Sequence, residues 1–166
     1  MSKLPWGACL HSGEVVACAP PAGSYLDRCR VKGDFIDCYA GPACASPRAA
    51  LQEIVAFPRW VQCLLTVRKI STTPFGLSQD GPQCENKIGS FPVVHETDEE
   101  IVAGYDDKHL NFLVSVQTIG SRVSLTTWVR CHGWPGKLYL SLIMPFHTMV
   151  ARDAVLRVAR RYPIRT

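Results

Sequence analysis

No cysteine pair in this sequence has the C-x-x-C spacing, no Cys/His cluster has zinc-finger spacing, and no H-x-H or H-E-x-x-H pattern occurs. Metal sites of the common kinds are therefore not expected. A Gly-rich phosphate loop is also missing, which argues against the usual nucleotide-binding modes. So is a G-x-S-x-G elbow, or a Cys set beside a His with a third orienting group, so no catalytic nucleophile stands out. Charge is scarce: 19% of residues are charged, and 18 Lys plus Arg against 14 Asp plus Glu leave a net +4. That excess is weaker than a dedicated nucleic-acid binder carries, and no nucleic-acid partner is expected. The first residues, MSKLPWGACLHSGEVV, contain no continuous apolar core of the secretory kind. No apolar segment reaches the roughly 20 residues a membrane-spanning helix needs, so no membrane insertion is expected.

What is present is a chain of 166 residues that is 47% apolar. This fits one domain with a substantial core and is the reverse of a disordered composition. Eight cysteines stand at 9, 18, 29, 38, 44, 63, 84 and 131. At about 5% of the chain they fall short of a disulfide scaffold. Reduced, mostly buried thiols in a cytoplasmic protein are the simplest expectation. The near-ten spacing of the first four is not a repeat, because their neighbours differ. No cofactor is implied.

Residues 1–20 read as a loosely structured N-terminal segment, with a short strand over 14–19, and residues 21–162 as one α+β domain. A helical turn is predicted at 24–29 and a strand over 34–40, closed by Gly41-Pro42. Ser46-Pro47 is a strong helix start: Ser caps the free N–H groups and Pro at the first position loses none. Leu51, Ile54 and Val55 form its apolar face, and Pro58 breaks it. A second helix follows over 58–69, with Val61, Leu64 and Leu65 inward. Residues 71–89 are polar with scattered Pro and Gly, and read as a long loop.

Four successive strands are predicted at 91–96, 100–106, 109–119 and 122–132. Gly120-Ser121 is a two-residue hairpin turn, with Gly supplying the positive φ. It sets Ile119 opposite Arg122, Val116 opposite Leu125, Val114 opposite Thr127, Phe112 opposite Val129 and Leu110 opposite Cys131. The other face carries Gln117 with Ser124, Ser115 with Thr126, Leu113 with Trp128, Asn111 with Arg130 and His109 with His132. A slip by one residue would mix an apolar with a mostly polar set. A two-residue turn at Asp107-Lys108 adds Ile101, Ala103 and Tyr105 to the apolar face; a three-residue turn would reverse this. From 137 to 161 a long helix is predicted, kinked at Pro145 and ended by Pro163. Its first half is apolar nearly all round (Leu138, Tyr139, Leu140, Leu142, Ile143, Met144, Phe146, Met149, Val150) and is expected to be buried. Truncating Phe146 or Leu142 to Ala should then cost about 2–5 kcal/mol. Arg152, Arg157, Arg160 and Arg161 lie mostly off the Val155–Val158 side. They are not expected to bind acidic lipid or nucleic acid, since Asp153 interrupts them.

A curved antiparallel sheet with one apolar face needs a long apolar cover, which the last helix supplies. The segments GDFIDCYAGP at 33–42, FPVVHET at 91–97, DDKHLNFLVSV at 106–116 and GKLYLSLIMPFHTMVAR at 136–152 resemble a bacterial family of unknown function with START-like, polyketide-cyclase-like helix-grip architecture. The likeness covers most of residues 20–162 and implies a fold rather than a reaction. Four strands after the paired helices are fewer than that fold often has: either the 71–89 loop holds another, or the sheet is smaller.

Three functional readings stay open. One is an apolar or amphipathic ligand held between sheet and last helix, lined by Tyr105, Phe112, Thr127 and His147. Another is a cyclase, hydrolase or isomerase on the same scaffold, with His109, His132 or His147 as acid–base and no assigned catalytic set. The last is a structural protein with a filled core. His147 reads first as a core histidine bonded to a backbone carbonyl, or as a partly exposed one, and His109, Asn111, Arg130 and His132 as part of a solvated outer face. On that face Val102, Leu113 and Trp128 form an apolar row that must be covered. Residues 1–20 are the expected cover, and a homodimer is the alternative.

Overall fold

Proline and glycine punctuate the first half of the chain, and the elements between them are short. In a computed structural model, β1 (Val16–Ala17) stops before Pro20-Pro21, and α1 (Tyr25–Cys29) begins at Ser24, whose hydroxyl accepts from the Asp27 N–H. After β2 (Phe35–Pro42), α2 (Pro47–Val55) starts where Ser46-Pro47 predicts, with the Ser46 hydroxyl accepting from the Ala49 N–H. Then come β3 (Lys87–Ile88), β4 (Phe91–Glu96), β5 (Glu100–Asp106), β6 (Leu110–Ile119), β7 (Arg122–Cys131) and α3 (Trp134–Arg161). The structure describes residues 14–63, 66, 85–106 and 110–164, and of Pro135 the backbone. Residues 59–63 are helical with Val61 buried; Leu64, Leu65 and 67–69 of the predicted second helix lie outside the described residues. So does most of the predicted loop, but its end carries β3.

Among the described residues seven strands form one open antiparallel sheet in the order β1-β2-β7-β6-β5-β4-β3. The β6–β7 register is the one read from Gly120-Ser121, and Gly120 holds a φ of 59°. The α+β class is as expected, and the arrangement is consistent with a helix-grip fold.

The inner face is covered by helices. Tyr39, Leu125, Val116, Ile101 and Ala103 pack against Ala50, Leu51 and Ile54 of α2 and Ala151, Ala154, Val155 and Val158 of α3. Arg157 locks the two helices together: its guanidinium donates to the carbonyls of Glu53, Ile54 and Ala56, which the end of α2 leaves without helical partners. It also pairs with Asp153 and Glu53.

Three expectations need correction. The first half of α3 is not buried all round: Leu138, Leu142, Phe146 and Met149 are exposed, as is Trp134, where the helix begins three residues early. The helix lies on the sheet along one side, and among the described residues no further layer covers the other. The large losses expected for Phe146→Ala and Leu142→Ala therefore do not follow from burial in the chain itself.

The outer row is also different. The β5–β6 register is not that of a two-residue turn: Asp106 faces Asn111 and Tyr105 faces Phe112. The shift is by two, which keeps Ile101, Ala103 and Tyr105 on the inner face but puts Gly104, not Val102, opposite Leu113. Among the described residues the cover is α1: Leu26 buries itself between Val102 and Trp128, with Tyr25 and Leu113 alongside. Residues 1–13 lie outside the described residues.

Finally, the middle of the outer face is not solvated: Glu100, Ser115, Gln117, Ser124 and Thr126 are buried. Glu100 explains part of this. Its carboxylate accepts the Tyr25 N–H at 3.1 and 3.2 Å and the Ser115 hydroxyl at 2.6 Å, tying α1 down by its first turn.

Beside α1, Asp34 accepts from Arg130 at 2.9 and 3.0 Å, from the Val31 N–H and from Trp128 Nε1. Arg130, with these bonds, is the main cause that lowers the Asp34 carboxyl from 3.8 to about 2. A depressed carboxylate stabilises the fold above its unfolded value and loses that contribution as pH falls through the folded one. Denaturant titrations should show about 1–2 kcal/mol lost between pH 4 and 2 on this account. In Asp34→Asn that part of the acid dependence should vanish.

Candidate functional site

Alternation along β2 puts Phe35, Asp37 and Tyr39 on the inner face. The ladders then define two adjacent rows. One runs Phe35–Val129–Phe112–Tyr105 and the next Asp37–Thr127–Val114–Ala103–Val93. The four residues singled out from sequence thus share one patch: Phe112 and Tyr105 in the first row, Thr127 in the second, and His147 reaching down from α3.

The first row is aromatic. Phe112 meets Tyr105 edge-on at 5.3 Å and Phe91 at 5.5 Å. Phe35, Phe91, Phe112, Tyr105, Val93 and Val114 are only half-buried, whereas the row beneath the second half of α3 is closed. The second row holds a polar group that sequence reasoning missed. Asp37 is buried directly opposite Thr127, and its carboxylate lies 3.1 and 3.3 Å from His147 Nε2. Phe35 packs edge-on against the same imidazole at 6.0 Å. Burial pushes the ionisation of the neighbouring Tyr39 hydroxyl up. His147 is thus neither a backbone-bonded core histidine nor a lone one; a carboxylate fixes its ring. The available signal was an acidic residue on the inward side of a β-rich run, DFIDCYA.

Phe35 and Val129 of this patch also line a cleft of about 510 Å³ between the start of β2, the end of β7 and α3, whereas Tyr105, Phe112, Thr127 and His147 do not. Phe35, Val129, Val31 and Leu140 give it apolar walls, and Lys32, Lys137 and Ser141 add polar ones.

The other candidates are accounted for differently. Arg130 is held by Asp34, donates to the Cys29 carbonyl and lies 4.9 Å over the Trp128 ring, so it fastens β7 to α1. His132 pairs with Asp106 at 2.6 Å on the exposed end of the hairpin. His109 lies outside the described residues. Cys18 and Cys38 face each other as buried thiols 3.3 Å apart. The Cys18 hydrogen bond, then burial, holds Cys38 well above the ordinary thiol range, so it is no nucleophile at neutral pH. Among the described residues no group of three or more His, Cys, Asp or Glu is placed to hold a metal, and no helix is long and apolar enough to cross a membrane.

No curated protein and no solved structure matches the chain significantly. One family model does, over residues 32–154, the stretch that carries β2 to β7, both rows of the inner patch and α3 as far as Ala154. The chain therefore belongs to the family described as "Protein of unknown function (DUF2867)".

Proposed function

We propose that this domain binds an apolar or amphipathic small molecule between the sheet and α3, on a START-like helix-grip scaffold in the cytoplasm. The observation that carries the reading is the half-buried aromatic row Phe35–Val129–Phe112–Tyr105 running beside the His147–Asp37 pair. Ligand sites combine an apolar wall with a few fixed polar groups, and a volume above about 300 Å³ is of the usual size. Phe112 and Tyr105 would supply contact area, while His147, steadied by Asp37, would orient a polar head. Lys32 and Lys137 at the cleft favour a head that is acidic.

The probe to use is anilinonaphthalene sulfonate, which has an apolar body and an anionic head. It should bind the folded protein at one saturable site, and Phe35→Arg should weaken that site at least about tenfold. Native mass spectrometry of protein from its own host should retain a small molecule that Phe35→Arg loses. Probe binding indifferent to Phe35→Arg would sink the reading.

A second reading rests on the same pair. A carboxylate that fixes one imidazole nitrogen is how acid–base histidines are oriented, so a hydrolase, isomerase or cyclase would use His147. It requires turnover that His147→Gln abolishes while probe binding persists.

A further inference from the structure

The exposed side of α3 carries an apolar stripe that neither the core nor the ligand reading uses. Trp134, Leu138, Leu142, Phe146 and Met149 recur every fourth or third residue, so they line one side of the helix. Each is between 51% and 74% exposed. Between them lie Ser141 and Pro145, both uncharged, and Lys137 is the one fixed charge from Trp134 to Met149. Arg152 and Asp153 end the stripe. Together the five side chains leave about 600 Å² uncovered, at the upper end of the largest apolar patches on monomers.

We infer that this stripe is the contact between two copies of the chain, with the two α3 helices packed antiparallel about a two-fold axis at Leu142. Two observations select a second copy. The first is that the stripe is self-complementary when reversed. With Leu142 on the axis, Leu138 of one copy meets Phe146 of the other, and Trp134 meets Met149. Each ring is matched with a flexible aliphatic side chain, as a two-fold interface requires of a single surface. The second is area: two such stripes, fully covered, amount to at most about 1,200 Å², which reaches the lower bound for a specific, stable interface. No like charges are brought together inside the stripe, because the reversal sets the two copies of Lys137 towards opposite ends of it. The apolar cleft residues Leu140, Phe35 and Val129 lie off the stripe, while Ser141 and Lys137 border both, and the inference does not rest on the ligand reading.

The test is sedimentation velocity of the full chain from about 1 to about 100 µM, a range that brackets a micromolar interface. The wild type should shift from monomer to dimer. Leu142→Arg should weaken the dimer at least about 30-fold, as loss of a central anchor does. At low concentration its Tm should match the wild type, since Leu142 is exposed in the monomer. Leu142→Cys supplies an arm independent of affinity. On mild oxidation it should cross-link to itself quickly, because the axis brings two copies of position 142 together, whereas Trp134→Cys alone should not. Mixing Trp134→Cys with Met149→Cys should restore the cross-link. A wild type that stays monomeric at every concentration overturns the inference. So does a dimer untouched by Leu142→Arg. Monomer that instead binds phosphatidylcholine vesicles through Leu142 would assign the stripe to lipid and likewise overturn it.

Discussion

Gly104→Ala is expected to lose at least about 4 kcal/mol of stability, or to give no soluble protein. Gly104 sits mid-strand in β5 with φ of 149°, a conformation that L side chains rarely adopt. A Cβ there would lie 2.2 Å from the Phe112 carbonyl oxygen and 2.9 Å from the Leu113 Cα. Both are backbone atoms of β6, so no rotamer change relieves the clash, and the strands would have to part in the middle of their ladder. Gly41→Ala provides the comparison. Its Cβ would meet Val155 Cγ1 at 2.9 Å, which is a side-chain atom. A loss of about 1–3 kcal/mol is expected there, as for ordinary overpacking, with partial recovery in Gly41→Ala/Val155→Ala. Urea denaturation of the variants measures all of these. A Gly104→Ala protein within about 1 kcal/mol of the wild type would mean that β5 and β6 do not approach so closely.

Leu26→Ala should cost about 2–5 kcal/mol and, unlike most core truncations, should report its own location. Leu26 is fully buried against Trp128 and Val102, yet it belongs to a helix of five residues. A helix that short has no stability of its own and exists only while docked. The remaining attachments include the Glu100 carboxylate on the Tyr25 N–H, the Tyr25 ring stacked 5.0 Å from His95 and the Arg130 guanidinium on the Cys29 carbonyl. Without Leu26 these hold α1 weakly, and Trp128 opens to solvent before the sheet melts. In a chain where Trp128 is the sole tryptophan, acrylamide quenching should rise and emission should shift to the red under conditions where the inner core is intact. Equal quenching in both proteins would show that α1 is not what shields the indole.

The parts of the fold governed by local chemistry were legible in the sequence. Ser46-Pro47 and Gly120-Ser121 placed a helix start and a hairpin register because the residues themselves carry the conformational preference. Ile101, Ala103 and Tyr105 landed on the inner face although the connection length was misjudged, since a shift of two residues preserves the pleat. What failed was whatever depended on a partner distant in the chain. The apolar half of α3 could not announce that only one of its sides has a sheet to lie on. Nor could Leu26 declare that it covers Trp128, about 100 residues away. At the candidate site, His147 and the aromatics were visible as residue types suited to a cavity. Asp37 was not, because an acid in a β-rich strand gives no sign of the histidine it holds 110 residues later.

The two outermost strands have a consequence for the protein at high concentration. β1 and β3 pair over two residues each, whereas β6 and β7 run for ten. A long bare strand at a sheet margin is a template on which another chain can add indefinitely. Among the described residues the outermost strand at each margin offers only two residues of backbone, one of them with Lys87 exposed, although β2 and β4 run on past them. The sheet is thereby guarded against open-ended fibrous growth through its hydrogen-bonding edges, and self-association is left to side-chain surfaces that can close and stop.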